Sequence, residues 1–385
     1  FLGTCTTAPK AAEQARRDSA WAISIYVPSS RPFSNGFDPF SPRLEHVGGS
    51  EEAVIHLSAA LARKGVRTTV YGDMPERADT LFVYEGVQWR PLSEFDPESL
   101  AGTLLAWRSP AMAAQIKKQA PHLRVLSWLH DATYRCGPEC YEGADGVIVL
   151  SNFHGEIVRK LDKFDGPFLH AANGIKPEEF PELTEESEAK RNPHGAIYAA
   201  APNRGLEHLL EAWPSIRAEV PDATLDIYYS WALTEKLCSE DDGDAKSMRP
   251  LLDRLKAALA RLKDSGVTYH GGVAHGVLHD AYRAAGIWSY PPVAFDEISC
   301  ISALKAQASG SWPVIVPTGA LVETCPNGDH VRSHDVADYA KAIVRRMQTP
   351  PSIEQRRLLR EWAIGHSWED VADQFIDIAK GRNTR

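Results

Sequence analysis

An acidic residue just ahead of a predicted helix is the part of this sequence with the clearest chemistry. Residues 295–317 read as a loop, a helix over 299–309 with Ser299 as its N-cap, and a buried strand over 314–316. The first amides of a helix lack backbone partners and carry the positive end of its dipole, so they attract anions. The carboxylate of Glu297 beside them can accept hydrogen bonds from hydroxyls. A sugar nucleotide offers this combination of phosphate and polyol, although an ordinary helix–strand unit with a surface glutamate explains the pattern equally well.

The elements that must position this stretch alternate between apolar strands and helices, as they do when helices cover both faces of a parallel sheet. The first half contains predicted strands at 22–27, 67–71, 80–84, 103–107, 124–129, 146–150 and 168–171. The second half repeats the pattern with strands at 196–199, 224–229, 267–269 and 287–290. Between the halves, residues 176–192 are charged and read as a linker or a surface helix. We therefore predict an α/β protein with two Rossmann-like domains.

Polar residues follow several predicted strands of the first half, where parallel sheets bind their ligands. These residues are Trp107-Arg108, His130-Asp131 and Ser151-Asn152. Neighbouring side chains at a strand end point in different directions, so His130 and Asp131 are not expected to form an acid–base pair. We expect His130 to form hydrogen bonds at the edge of a ligand cleft, with a purely structural histidine as the alternative.

Two pairs of glycines stand where a backbone could approach a ligand. Gly48 and Gly49 precede a predicted helix, which would let amides meet a phosphate, although a plain tight turn explains them as well. Gly271 and Gly272 end a predicted strand, where a loop could lie along a flat base. The connection over 28–47 is long for a strand-to-helix loop, which favours a functional role.

Composition excludes several classes of protein. The chain has 385 residues, a net charge of −9 and no run of 18 apolar residues, which argues against nucleic-acid binding and against a spanning helix. Its six cysteines are scattered, and the C-x3-C pair Cys136 and Cys140 does not have zinc-finger spacing. We therefore expect a reduced, cytoplasmic protein without a structural metal. Because the sequence begins at Phe1, an upstream targeting segment is not excluded.

The two halves and several short segments, taken together, resemble the GT-B retaining glycosyltransferases of family 4 over roughly residues 22–380. The Glu297 stretch is similar to the first half of that family's Glu-x7-Glu motif. The other matching segments are Gly48-Gly-Ser-Glu51, Asn173-Gly-Ile175, Pro202-Asn-Arg-Gly205 and Gly365-His-Ser-Trp-Glu-Asp-Val371.

The resemblance implies a GT-B architecture in which two parallel-sheet domains face a central cleft. The domains would be an acceptor-side domain over 1–176 and a donor domain over 177–365, with residues 366–385 as a helix that crosses back to the first domain. It also implies a nucleotide-diphosphate sugar as donor, an acceptor that is a saccharide, a lipid-linked glycan or a small molecule, and no metal ion. The implied catalytic residues are Glu297, His130 and Arg204. The implied donor-binding residues are Gly48, Gly49, Arg204, Gly271, Gly272, Glu297, Ile298, Ser299, Cys300, Ile301 and Lys305.

The sequence departs from the family pattern at two places. Lys305 replaces the second glutamate of the motif, and a cation cannot accept hydrogen bonds from the ribose diol that this glutamate holds. Ala199-Ala-Ala201 stands where the family has an arginine, which leaves Arg204 to face the diphosphate. The alternative function is therefore a catalytically weakened GT-B protein that serves as a nucleotide- or sugar-binding subunit or as a partner subunit.

Overall fold

The computed structural model describes residues 22–28, 37, 47–73, 82–232, 235, 248–293 and 295–382. They form two compact units. Of the described residues, the first unit contains 22–28, 37, 50–73, 82–172 and 368–382, and the second contains 47–49, 173–232, 235, 248–293 and 295–367. Residues 1–20, whose polar sequence predicts an extension ahead of the first strand, and nearly all of the loop over 28–47 lie outside the described residues. Within the described part, no helix is both long and apolar enough to cross a bilayer.

The first unit is built on an eight-stranded sheet in the order β3-β4-β2-β1-β5-β6-β7-β8. Its neighbouring strands are parallel except for the pair β3–β4. The strands are β1 (Ala22–Tyr26), β2 (Arg67–Gly72), β3 (Phe82–Tyr84), β4 (Val87–Pro91), β5 (Thr103–Trp107), β6 (Arg124–Trp128), β7 (Gly146–Val149) and β8 (Phe168–His170). The helices are α1 (Gly49–Arg63), α2 (Pro110–Gln119) and α3 (Asn152–Asp162), with a further helix from the end of the chain. The central strands β1 and β5 are buried at every residue, as strands covered on both faces must be.

One edge of this sheet differs from the sequence prediction. The strand predicted at 80–84 was expected to join a parallel sheet, but β3 pairs antiparallel with β4, a strand that was not predicted. A two-residue turn joins them, and Glu85 and Gly86 both have positive φ, at 49° and 79°. Such a turn matches the twist of a hairpin, and a glycine at its second position favours it. The hairpin was missed because a strand–turn–strand unit this short resembles one strand followed by a loop.

The last helix of the chain, α12 (Trp368–Ala379), belongs to the first unit. The ring of Phe375 packs edge-on against Trp128 of β6, with the ring centroids 5.2 Å apart. At the surface, Arg63 Nη2 lies 2.7 Å from Glu369 Oε1, and Lys64 Nζ lies 2.8 Å from Asp373 Oδ2. An apolar face and two ion pairs thus attach α12 to the first sheet and to α1.

The second unit contains a six-stranded, fully parallel sheet in the order β11-β10-β9-β12-β13-β14. The strands are β9 (Asn192–Tyr198), β10 (Thr224–Tyr228), β11 (Val267–Gly271), β12 (Ala285–Tyr290), β13 (Trp312–Ile315) and β14 (Asp329–His330). The helices are α4 (Glu185–Ala189), α5 (Leu206–Glu219), α6 (Arg249–Leu262), α7 (His275–Ala284), α8 (Ile301–Ala308), α9 (Leu321–Thr324), α10 (Val336–Gln348) and α11 (Ile353–Ile364). One hydrophobic core lies under this sheet and includes Trp213, Trp288 and Tyr339. The prediction of an α/β protein with two parallel-sheet domains is confirmed.

The helix predicted over 299–309 begins later than expected. It runs as α8 from Ile301, and Cys300 is its N-cap without a side-chain hydrogen bond. Ser299, the expected cap, instead accepts a hydrogen bond at Oγ from Asn173 Nδ2, 3.1 Å away. A tertiary contact has therefore replaced the local capping interaction that serine usually makes. Glu297 lies ahead of this helix, as predicted, and Lys305 lies within it.

Candidate functional site

Arg204 and Glu297 meet at the carboxyl edge of the second sheet, although 93 residues separate them in the sequence. Arg204 Nη1 donates to Glu297 Oε1 over 2.9 Å. The guanidinium also lies over the ring of Phe295, with Cζ 4.0 Å from the ring centroid. The Glu297 side chain is only 3% exposed, whereas a third of the Arg204 side chain is exposed. A buried acceptor thus stands beside a cation that a ligand can reach.

A glycine explains why the two elements approach so closely. Gly205 follows Arg204, has a φ of 91° and precedes the first residue of α5. A Cβ at this position would collide with the carbonyl oxygen of Pro291, which leads into the loop that carries Glu297. Only glycine has both the conformational freedom and the space for this turn. The Pro-Asn-Arg-Gly segment therefore sets the position of Arg204 through its glycine.

The loop of Glu297 is held at both ends by residues that follow β13. Thr318 Oγ1 donates to the carbonyl oxygen of Phe295 over 2.9 Å, and the amide of Ala320 donates to the carbonyl oxygen of Glu297 over 2.6 Å. Tyr290, the last residue of β12, donates its phenol hydrogen to Glu297 Oε1. A carboxylate held in this way does not need to be ordered when a ligand arrives.

The electrostatics of this cluster keep each group in one ionisation state. Burial tends to lower the pKa of Arg204, but the charge of Glu297 and the interactions with Tyr290 and Tyr229 together outweigh it, so the net effect is to raise that pKa. Burial, and then the charge of Glu297, raise the pKa of Tyr290 well above its ordinary value. The same two causes raise the pKa of the Cys300 thiol. At neutral pH the cluster therefore contains a guanidinium, a neutral phenol and a neutral thiol.

Lys305 and Ala199, at the two positions that depart from the family pattern, are both buried in the second unit. Lys305 lies in the second turn of α8 and is 4% exposed, so it is part of a helix that is buried over most of its length. Ala199 follows β9 and is also buried. The hydroxyl of Tyr198 donates to the carbonyl oxygen of Ala201 over 2.7 Å, and the amide of Arg204 donates to the same oxygen over 3.0 Å. The turn that presents Arg204 is thus fixed by backbone acceptors and by a tyrosine from β9.

The predicted glycines fall at two places. Gly271 ends β11 with a φ of 74°, and Gly272 follows it at the same carboxyl edge as Arg204 and Glu297. A cavity of about 400 Å³ opens near that strand end. Its lining residues are Ser230, Trp231, Ala232, Glu235, Lys256, Leu259 and Tyr269. Gly48 lies just before α1, and a Cβ on Gly49 would come within 3.6 Å of Ile301 Cδ1 at the start of α8.

In the first unit, the predicted rim residues Arg108 and Asp131 are paired with each other. Arg108 Nε and Nη2 donate to the two carboxylate oxygens of Asp131 over 2.8 and 2.7 Å. Glu51 lies 3.7 Å from the same guanidinium. Arg108 has a φ of 53°, a strained conformation for a residue with a side chain. Ser151 caps α3 by accepting the amide hydrogen of His154, so it has a structural role.

His130 lies two residues beyond β6 and is 7% exposed. Its ring meets Trp128 edge-on, with the centroids 4.6 Å apart, and its Nε2 is buried without a hydrogen-bond partner among the described residues. Burial, followed by the charges of Arg108 and His154, lowers the pKa of His130 well below its ordinary value. As the sequence indicated, His130 does not pair with Asp131, whose carboxylate is taken by Arg108.

Sequence reasoning missed three residues that shape these clusters. Tyr290 was read as a strand residue, Phe295 as part of a loop, and His154 received no role. His154 Nδ1 accepts the amide hydrogen of Leu150 over 3.1 Å, and its Nε2 lies 3.0 Å from the carbonyl oxygen of Asp131. Nothing in the sequence distinguishes these aromatic residues from core residues, because tyrosine, phenylalanine and histidine at such positions are also typical of a buried core.

Several proteins of known structure share this architecture. No protein-family model and no curated protein matches the chain. A sucrose-phosphate synthase from Thermosynechococcus elongatus is 18% identical, with a TM-score of 0.70 over 94% of this chain and 98% of that chain. A glycosyltransferase from Rickettsia africae ESF-5 is 16% identical, with a TM-score of 0.67 over 94% and 98% of the two chains. The catalytic domain of starch synthase IV from Arabidopsis thaliana, bound to ADP and acarbose, is 13% identical, with a TM-score of 0.65 over 95% and 100%.

At such low identity, these likenesses establish an architecture rather than an activity. They span nearly the full length of each compared chain, and each unit of this chain has the parallel α/β sheet described above. This chain therefore has the GT-B fold of nucleotide-sugar glycosyltransferases.

Proposed function

We propose that this chain is a retaining, metal-independent glycosyltransferase that transfers a sugar from a nucleotide-diphosphate donor to an acceptor hydroxyl. The observation that carries the proposal is the contact between Arg204 and Glu297 at the carboxyl edge of the second sheet. It joins a reachable cation, suited to a diphosphate, to a buried acceptor, suited to sugar hydroxyls. Several proteins of similar fold are named for glycosyl transfer, which supports this reading of the pair.

The diphosphate of the donor would be neutralised without a metal ion. Arg204 would supply the positive charge, and the amides near Cys300 at the start of α8 would add hydrogen bonds along the helix dipole. Gly49, which lies against Ile301, would bring a further amide to the same place. Negative charge that develops on the leaving nucleotide would then meet groups that are already oriented, which is electrostatic catalysis.

Retention of configuration follows if the acceptor enters on the face that the nucleotide leaves. The acceptor hydroxyl would form the new glycosidic bond while the bond to the β-phosphate breaks, and an oxygen of that phosphate would take the proton. Glu297 would orient the sugar ring through its hydroxyls and would not attack it. The catalytic role that the resemblance implies for His130, a residue of the first unit, stays a prediction; its Nε2 has no hydrogen-bond partner among the described residues.

The nucleoside would extend from Arg204 towards Gly271 and Gly272. Because β10 lies between β9 and β11, these glycines are two strand spacings, about 10 Å, along the carboxyl edge from the Arg204 turn. The cavity lined by Trp231 and Tyr269 lies beyond that edge and offers aromatic surface for a base. Lys305 would approach the ribose, where the family has a carboxylate.

The test is incubation of the chain with UDP-, GDP- and ADP-sugars, with release of the nucleoside diphosphate as the readout. We expect at least one donor to be turned over, with the same rate in EDTA. Arg204→Ala should weaken binding of the matching nucleoside diphosphate by about 1.5–3 kcal/mol, the range for hydrogen bonds to charged groups. Isothermal titration measures that change.

Arg254→Ala is the matched control, since Arg254 forms an exposed ion pair with Glu207 in the same unit. It should leave nucleotide affinity unchanged. Equal affinities in wild type and Arg204→Ala would remove Arg204 from the site. Binding of a nucleotide sugar without any turnover would favour the alternative function, a nucleotide- or sugar-binding subunit or a partner subunit.

A further inference from the structure

Two donors converge on one oxygen of Glu297. The phenol of Tyr290 and Arg204 Nη1 both donate to Oε1, although they come from the end of β12 and from the turn before α5. Tyr290 is 1% exposed and Glu297 is 2% exposed, so both side chains are buried where they meet. Oε1 is thereby bound from two separate elements, and among the described residues no hydrogen bond to Oε2 is formed.

Tyr290 remains a donor under all ordinary conditions. A phenol beside a carboxylate donates its hydrogen to that carboxylate, and burial together with the charge of Glu297 raises the pKa of Tyr290 well above its ordinary value. The guanidinium of Arg204 differs from Tyr290, because an anionic ligand would compete with Glu297 for the hydrogen bonds that the guanidinium donates. When a diphosphate draws Arg204 towards itself, Tyr290 is the group that keeps Glu297 in place.

We propose that Tyr290 is a positioning residue that holds Glu297 so that its second oxygen accepts a hydroxyl of the donor sugar. This inference rests on the proposed function and adds a residue to its site. It separates two tasks at one carboxylate: Oε1 is bound by the protein, and Oε2 is presented to the sugar. Tyr290 should therefore affect recognition of the sugar and leave recognition of the nucleotide largely intact.

The experiment compares two ligands on wild type and Tyr290→Phe. The ligands are a nucleoside diphosphate and its glucose conjugate, taken from the UDP, GDP and ADP series according to which binds wild type. Tyr290→Phe should raise the Kd of the nucleotide sugar about tenfold, within the range for a hydrogen bond to a charged group. The Kd of the nucleoside diphosphate should change less than about twofold. With a turned-over donor, kcat should fall more than KM rises, because the misplaced carboxylate affects the sugar in the reacting complex.

Tyr339→Phe is the matched control. Tyr339 is a fully buried tyrosine of the same core, and its hydroxyl bonds to the carbonyl oxygen of Val314 and to Ser289, away from Glu297. It should leave the ratio of the two dissociation constants at the wild-type value. Tyr290→Met, which fills much of the same space with a flexible side chain, provides a second variant if the phenylalanine variant does not fold.

Glu297→Gln tests whether Tyr290 acts through Glu297. In that background, Tyr290→Phe should cause no further change in the ratio of the two dissociation constants. Additive effects, or an equal loss of affinity for both ligands, would overturn the positioning role. If the wild-type chain binds neither ligand, both the proposed function and the role of Tyr290 are overturned. If the wild-type chain binds both ligands and Tyr290→Phe leaves the ratio of the two dissociation constants unchanged, only the role of Tyr290 is overturned.

Discussion

At the scale of single residues, the ion pair between Arg204 and Glu297 sets the charge that a ligand meets. Because Glu297 is buried and bonded to the guanidinium, Arg204 is already partly neutralised before a ligand binds. A diphosphate must therefore share the guanidinium with a carboxylate, which lowers the gain from each new hydrogen bond. This arrangement favours a ligand that also offers hydroxyls to Glu297 over a simple phosphate.

Both members of this pair were predicted from short sequence segments, but their contact was not. Arg204 and Glu297 were assigned to one site through the family resemblance, and the structure joins them at 2.9 Å. Tyr290 was not predicted because a tyrosine at the end of a buried strand is typical of a core. The roles of all the proposed site residues stay predictions until a ligand is tested.

Lys305 provides a prediction at this scale. If the ribose lacks the acceptor that the family's glutamate supplies, Lys305→Glu should tighten nucleoside-diphosphate binding by about 1–3 kcal/mol. Isothermal titration of both proteins measures the change, and Lys305→Gln controls for loss of the positive charge. Because Lys305 is 4% exposed, the unfolding free energy of each variant should be measured alongside. Loss of affinity in Lys305→Glu would show instead that the lysine serves the diphosphate.

His154 links the stability of the first unit to pH. Burial, opposed in part by the hydrogen bond to the Asp131 carbonyl, lowers the pKa of His154 to about 4. In the unfolded chain a histidine has a pKa of about 6.5, so the unfolded state binds more protons between these values. Stability should therefore be fully present above pH 6.5 and should fall by about 3 kcal/mol as pH drops towards 4.

Urea denaturation at pH 7 and pH 4.5 measures this loss of unfolding free energy. His154→Asn should be less stable at pH 7 and should show a smaller difference between the two pH values. His122→Asn is the control, because His122 is an exposed residue of the same unit. Equal pH dependence in wild type and His154→Asn would contradict the assignment.

At the scale of elements, the start of α8 shows why helix boundaries were harder to predict than helices. The apolar spacing indicated the helix, and serine is a good cap, but the Asn173 side chain takes the Ser299 hydroxyl and the helix begins at Ile301. Asn173 lies 126 residues away in sequence, so no local rule contains this contact. The hairpin β3–β4 was missed for a different reason. Its local sequence pattern is weak, because it consists only of a Glu-Gly turn between two short strands.

A substitution at Gly205 tests how closely the start of α5 approaches the Glu297 loop. Gly205→Ala should cost about 2 kcal/mol or more of unfolding free energy, because its φ is positive and the new Cβ would meet the Pro291 carbonyl. It should also weaken nucleotide binding, since the start of α5 and the Glu297 loop would be pushed apart. Gly276→Ala is the control: it lies in helix α7 with open space at its Cβ, and it should stabilise the protein by about 0.5–1 kcal/mol. A neutral Gly205→Ala would contradict the close approach.

At the scale of the whole molecule, the alternation of strands and helices was sufficient to predict two parallel α/β sheets. The strand order was not predictable in the same way, because it depends on which strands pair across 10 to 100 residues. Short edge strands such as β14, with two residues, carry too little apolar pattern to be recognised. The domain limits at 176 and 365 and the cleft between the domains remain proposals.

Phe375 tests how α12 contributes to the fold. Phe375→Ala should cost about 3–5 kcal/mol, the usual range for removing a buried aromatic ring. Hydrogen exchange followed by mass spectrometry should show the loss of protection in β6 and its neighbouring strands of the first unit, and not in α11, which directly precedes α12 in sequence. Leu358→Ala, at a position in α11 that is 65% exposed, is the control and should change little. Loss of protection confined to the second unit would contradict the assignment of α12.

The place of α12 also has a consequence for synthesis on the ribosome. The strands of the first unit emerge early, but the helix that covers Trp128 follows about 200 residues later. At a translation rate of 5–20 residues per second, this delay lasts about 10–40 s. During that time the second unit can emerge completely and fold, while the nascent first unit still exposes an apolar surface. The first unit, although synthesised first, is then the last to be completed, and a chaperone that binds apolar surface has its longest opportunity there.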